Sequence, residues 1–199
     1  MSYDDFFTLL RARRSCRSFV AEEPLSNEAL RRIIDAGRQA PSPLNLQPWS
    51  FIVITSCELK KQLRQAGEKA KQQVLDQGGP GWVGGFSTDF MEEAPLLIAL
   101  LSEPEKGGLG AYFNQPAGSL QAVSACMQNM MLAATSLGLG SLWFTFFDPF
   151  EVRSLLNIPC THDIAGLLYI GRAGGEAPLS KRRPPRIYAE RFGVDGDFF

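Results

Sequence analysis

Hydrophobic positions along this chain recur with two periods, near 3.6 and near 2, and their order lays out the elements. Tyr3–Arg13 reads as a helix with Phe6, Phe7 and Leu10 on one face and a basic cluster at its exit. A second helix opens at Pro24-Leu25-Ser26, where Ser26 is placed to cap it and Leu25 with Leu30 to staple it. Leu30, Ile33, Ile34 and Gly37 hold the helical period until Pro41 and Pro43 end it. Ser50–Thr55 is a short buried strand, and Glu58–Leu75 an amphipathic helix with Leu59, Leu63, Ala66, Ala70 and Val74 on its apolar side. Residues 78–85 hold too much glycine and proline for a helix. Trp82, with Phe86 beyond, suggests either an aromatic lid or a surface loop pinned by its tryptophan. Pro95–Leu101 is a second buried strand, and residues 103–110 are polar and glycine-rich. From about Ala117 to Leu137 runs one long, almost uncharged helix, which should be central and buried on most sides. Gly138 caps it and Ser141–Phe147 forms a third strand. Asp148 and Pro149 supply an N-cap and an N1 proline for a helix ending near Asn157, and Ile164–Gly171 is a fourth strand. The pattern shows no repeat, heptad or linker. It predicts an α+β (mixed α/β) fold, a single domain over residues 1–199 with a small mixed sheet flanked by helices.

Composition narrows the function. The chain has 199 residues, enough for one substantial core, with 45% hydrophobic and 21% charged residues as in ordinary soluble domains. A net charge of −1 gives no general attraction to nucleic acid or to anionic membranes, and neither is expected as a partner. Basic residues are concentrated at 11–17 and 181–186, which favours a small anionic ligand. The apolar runs are too short to span a bilayer, and Asp4 and Asp5 interrupt any secretory leader. Cys16, Cys57, Cys126 and Cys160 are scattered, with no C-x-x-C pair, which predicts no metal site and a reducing, cytoplasmic setting. Cys16 lies inside the basic cluster, where positive charge favours a thiolate. The simpler expectation for it is a small buried residue.

Two segments carry the candidate chemistry. Arg13-Arg14-Ser15-Cys16-Arg17-Ser18 packs three guanidiniums and two hydroxyls into six residues. Planar forks of donors match phosphate oxygens, and hydroxyls and backbone N–H groups complete such a shell. Cations dressing a helix C-terminus would produce the same run. The second segment, Pro41-Ser42-Pro43-Leu44-Asn45-Leu46-Gln47-Pro48-Trp49, carries amides able to read the edge of a planar heterocycle. Gly138-Leu139-Gly140 lacks the third glycine of a dinucleotide fingerprint and follows a helix rather than a strand, and no P-loop occurs. His162, the only histidine, sits in a turn and reads as solvated, as do the adjacent pairs Glu22-Glu23 and Glu92-Glu93. Hydrolytic chemistry therefore has little support.

The Arg-Arg-Ser-x-Arg-x-Phe opening at Arg13–Phe19 and the Ala-Pro-Ser-x-x-Asn-x-Gln-Pro-Trp loop at Ala40–Trp49 resemble the nitroreductase family of FMN-dependent oxidoreductases. Gln128–Ala134 followed by Leu137–Gly140, and the closing Lys181-Arg182-Arg183-Pro184, extend the match in the same order over nearly the whole chain. The resemblance implies an intertwined homodimer in which a C-terminal arm, about residues 184–199, adds to the partner's sheet. It implies FMN held by Arg13, Arg14, Ser15, Arg17, Gly140, Lys181 and Arg183, with Arg17 near the ring and Lys181 and Arg183 closing over the phosphate. Pro41, Ser42, Asn45 and Gln47 would reach the flavin from the other subunit, with Pro43 in the same loop. No side chain is then needed as a catalytic acid or base, because flavin N5 carries the hydride; the backbone at Thr145 and Phe146 would approach it. The implied reaction is ping-pong transfer from NADH or NADPH to a nitroaromatic, quinone or enone. Relatives on this scaffold also dehalogenate or fragment the flavin, and a flavin-binding redox sensor is a non-enzymatic alternative. The chain departs from the family in carrying Thr145-Phe146-Phe147 where a glycine-containing strand end is common, and Ser119 where an acidic residue often stands.

Overall fold

The computed structural model describes residues 2–21, 23–175, 181–194 and 196. Helix α1 spans Tyr3–Ala12, capped by Ser2, whose hydroxyl accepts from Asp5 N while the Asp5 carboxylate accepts from Ser2 N. Helix α2 spans Asn27–Gly37, with Ser26 accepting from Ala29 N. Strand β1 is Trp49–Ile54, and helix α3, Cys57–Asp76, is capped by Ser56. A short helix α4, Phe90–Glu93, precedes β2 at Leu96–Ser102. Helix α5 is Gly118–Ser136, β3 Gly140–Phe144, α6 Pro149–Leu155 with Asp148 as N-cap, and β4 Asp163–Gly171.

The sheet order is β1-β2-β4-β3 and every strand pair is antiparallel. A single parallel bridge, Ser15 to Ser141, adds the basic segment to the β3 edge. The two central strands are apolar on both faces and divide their side chains by parity. Leu96, Ile98, Leu100, Leu168 and Ile170 face α2 and α5; Leu97, Ala99, Leu167 and Tyr169 face α3, α4 and α6. This is the three-layer solution for strands that read as continuous hydrophobic runs.

Strand β3, the segment after β2 and the burial of α1 add detail to the sequence reading. Strand β3 stops at Phe144, three residues early, because Phe146 and Phe147 turn into an aromatic cluster with Phe86, Phe90 and Tyr169. The 103–116 segment folds as two 3₁₀ turns, Pro104–Lys106 and Gly108–Phe113. In α1 no residue is fully buried, so its apolar face finds little cover within one chain. Trp82 is 66% exposed and meets Phe86 edge-on at 6.4 Å.

Candidate anion site and its second half

After Ala12 the backbone turns extended at Arg13, and residues 15–20 run beside the ends of β3 and β4. Cys16 N donates to Ser141 O, Val20 N to Arg172 O, and Gly174 N to Ser18 O, each at 2.9 Å. The Glu93 carboxylate accepts from Phe19 N at 2.9 Å. Gly140 makes the approach possible: a Cβ there would lie 3.0 Å from both Cβ and Sγ of Cys16. Cys16 itself is buried and its thiol donates to Ser18 O at 2.9 Å, so it fastens the segment.

The segment gathers charge without neutralising it. Arg13 lies near Arg14 and Arg182; burial first, then the charges of Arg182 and Arg14, hold its pKa below the ordinary arginine value. Among the described residues no carboxylate lies within 4.0 Å of Arg13, Arg14, Arg17, Lys181, Arg182 or Arg183. Arg14 turns back on α1, its Nη1 donating to the carbonyls of Arg11 and Arg13, so it serves the negative end of that helix. Arg17, Lys181 and Arg183 project into solvent, and Ser15 is half-buried. Below the segment a cavity of about 260 Å³ is lined by Arg14, Cys16, Thr135, Gly138, Leu139 and Gly140. Among the described residues the buried Ser141 hydroxyl has no hydrogen-bond partner.

The 41–47 loop is the other predicted half, and it is held under backbone strain. Leu44, Asn45 and Gln47 all have positive φ (51°, 55° and 46°), a region costly for residues with a Cβ. Ser42 Oγ accepts from Gln47 N at 3.0 Å, and Gln47 Nε2 donates to Asn45 Oδ1 at 3.3 Å. Pro43 wedges between two glycines: a Cβ on Gly108 would sit 2.6 Å from it, and one on Gly118 3.2 Å from it. Pro41, Asn45 and Gln47 are exposed; Ser42 and Pro43 are half-buried.

These two halves do not meet within one chain. Pro43 packs at Gly118, the first residue of α5, whereas the cavity of Arg14 lies at Thr135 and Gly138, at its other end. Nineteen helical residues separate them by roughly 28 Å. Sequence reasoning missed Arg182, passed over between Lys181 and Arg183, and Ser141, whose orphaned hydroxyl has no signature in sequence. It also misplaced the Glu92-Glu93 pair. Both are half-buried and engaged, Glu92 with Arg64 at 3.0 Å and Glu93 with Phe19 N, because α4 faces inward. Glu22 lies outside the described residues; Glu23 is exposed and pairs with Arg172 at 3.3 Å. His162 sits in a turn, its Nδ1 3.0 Å from Thr161 Oγ1.

A four-stranded antiparallel sheet between helical layers defines an α+β protein, and the guanidinium cluster at one sheet edge, without a carboxylate partner among the described residues, is its candidate anion site. The chain belongs to the nitroreductase family, whose model matches residues 10–172. The protein DrgA of Synechocystis sp. is 28% identical over 92% of this chain and 92% of its own length. A protein of Thermus thermophilus named NADH dehydrogenase is 26% identical over 90% and 92%. Among solved structures, oxidised iodotyrosine deiodinase bound to FMN and 3-iodo-L-tyrosine superposes with a TM-score of 0.80 at 26% identity, covering 94% of this chain and 99% of that one. The chain spans 64% and 62% of the length of the iodotyrosine deiodinases of Daphnia pulex and Danio rerio that it matches.

Proposed function

We propose that this protein binds FMN and acts as an oxidoreductase, passing electrons from NADH or NADPH to an aromatic acceptor such as a nitroaromatic or a quinone, or to an enone. The observation carrying this reading is the cluster of Arg13, Arg14 and Arg182, cationic, partly desolvated and without a carboxylate partner among the described residues. Like charges brought together at the expense of Arg13's proton affinity gain most from a dianion. A phosphate fits that donor set, and the orphaned Ser141 hydroxyl at the same edge could add a further bond. The FMN in the deiodinase structure and the name of the Thermus relative support the cofactor and the donor. FMN, when bound, would supply hydride and electron chemistry at its ring, so no side chain is needed as a catalytic acid or base.

The chain's own residues then have positional roles. Arg13 and Arg182, with Lys181 and Arg183, hold the phosphate; Arg17 stands by for the ring; Gly140 lets the segment lie against β3. Ser42, Asn45 and Gln47 belong to a second chain's loop, since α5 keeps them away from their own cationic cluster. The working unit is thus a homodimer, with residues beyond about 184 as its connecting arm, in a reducing cytoplasm where the four free cysteines stay reduced. Among the described residues no helix is long and apolar enough to cross a membrane.

A second reading, reductive dehalogenation of a halogenated phenol, is favoured by the likeness to iodotyrosine deiodinase. Anaerobic stopped-flow absorbance separates the two. Bleaching of protein-bound flavin by NADH or NADPH, and its recovery with a nitroaromatic or quinone, is the expected result. Recovery with 3-iodotyrosine but not with those acceptors would move the assignment to dehalogenation. Protein that takes up no FMN would overturn both.

A further inference from the structure

A cavity between the starts of α2 and α3 belongs to no part of the site above. It measures about 430 Å³, within the range of small-molecule sites, and Pro24, Leu25, Leu30, Pro95 and Leu96 make its wall largely apolar. Among the described residues, the cation on that wall is Lys60, only 5% exposed. Its ammonium donates to the Glu92 carbonyl at 3.1 Å and to the Ala94 carbonyl at 2.8 Å. An ammonium has three N–H groups, so one remains. Among the described residues no carboxylate comes within 4.0 Å of it. The acidic side chains among the described lining residues have partners of their own, Glu92 in Arg64 and Glu93 in Phe19 N.

A buried charge without a counter-charge carries a desolvation cost that an incoming anion relieves. Two further sources of positive potential reach the same space. Asn27 and Cys57, the first residues of α2 and α3, both line it, so the positive ends of an 11-residue and a 20-residue helix lie at its wall. One spare N–H and a carbon-rich wall suit a singly charged group on a hydrocarbon body. A phosphate, with more oxygens and more charge, would be left short of donors beside Glu92 and Glu93.

We propose that this cavity is a second ligand site, taking a small carboxylic acid with its carboxylate on Lys60 and its hydrocarbon part against Pro24, Leu25, Leu30 and Leu96. Isothermal titration of the purified protein with sodium octanoate and with octan-1-ol tests it. Octanoate should bind once per chain and about ten-fold or more tightly than the alcohol, a difference of about 1.4 kcal/mol. Lys60→Met should bring the acid down to the alcohol's level. Because Lys60 also holds the end of α4, a second variant keeps the test independent of folding. Asn27→Trp, on the exposed rim, should abolish octanoate binding while leaving the thermal midpoint and flavin content as they were. Equal affinity for acid and alcohol would overturn the proposal. So would failure of octanoate to bind the unmodified protein, or binding that Asn27→Trp leaves intact.

Discussion

At the exit of α1 two adjacent arginines play opposite parts. Arg14 bends back to the helix carbonyls, whereas Arg13 stays among cations with its own charge under pressure. Replacing Arg13 with Ala should therefore weaken FMN binding by about 1.5–3 kcal/mol, the worth of hydrogen bonds to a charged group. Arg14→Ala should mainly cost α1 about 0.3–1 kcal/mol of stability. Flavin-fluorescence titrations and urea melts of the two variants check this, and equal flavin affinities would contradict the division of labour. A second residue-scale expectation concerns Cys126, whose thiol burial pushes up to about 12 from its usual 9. Between those pH values the folded state keeps a proton that the unfolded state has lost, so stability falls as pH rises through that window, by up to about 1.4 kcal/mol per pH unit. Buried Tyr169, its phenol also pushed upward by burial, acts in the same direction. Urea midpoints measured from pH 8 to 11 should decline, and more gently in Cys126→Ala; a flat profile would refute the linkage.

Helix α5 shows how an element acts beyond its own contacts. It separates the halves of the candidate site and packs against α2 through a glycine. A Cβ on Gly37 would stand 2.7 Å from Met130 Cγ and 2.9 Å from Cys126 Sγ. Gly37→Ala should cost about 1–3 kcal/mol by overpacking, read as a lowered thermal midpoint with an unchanged denaturant slope. Met130 is flexible enough to absorb part of the insertion, which sets the lower bound. The periodicities of α2, α3 and α5 were legible because each buries a stripe whose spacing survives in sequence. Phe144–Phe147 was not: its apolar run fits a strand continuing, and only the cluster around Phe86 and Phe90 bends it away.

At the scale of the molecule, α5 carries no charged residue, yet Leu120 is 46% exposed and Gln121, Ser124, Gln128 and Leu132 follow it along one incompletely covered side. A neutral stripe of that length is what a second copy would cover. Leu132→Arg should therefore raise the monomer fraction in light scattering and lower bound flavin in the same samples, since the 41–47 loop would leave with the partner. A variant that stays dimeric with full flavin would place the interface elsewhere. In the proposed dimer, the strained backbone at Leu44, Asn45 and Gln47 would present the loop outward toward the other chain.

The caps, the apolar faces and the chemistry available at each end of the chain follow from the order of the residues alone. Ser26 and Asp148 act through neighbours only a few residues away, and such local preferences persist in any context; the Arg13–Arg17 run brings its guanidiniums together by adjacency alone. The strand order, the pairing of Ser15 with Ser141 and the nearness of Arg13 to Arg182 needed the tertiary structure, because contacts between distant segments depend on how the layers close. The same physics set the fates of Glu93 and Lys60. A charged side chain reads as solvated in sequence, and only the packing of α4 against the sheet decided which carboxylate found an N–H and which ammonium was buried on backbone carbonyls.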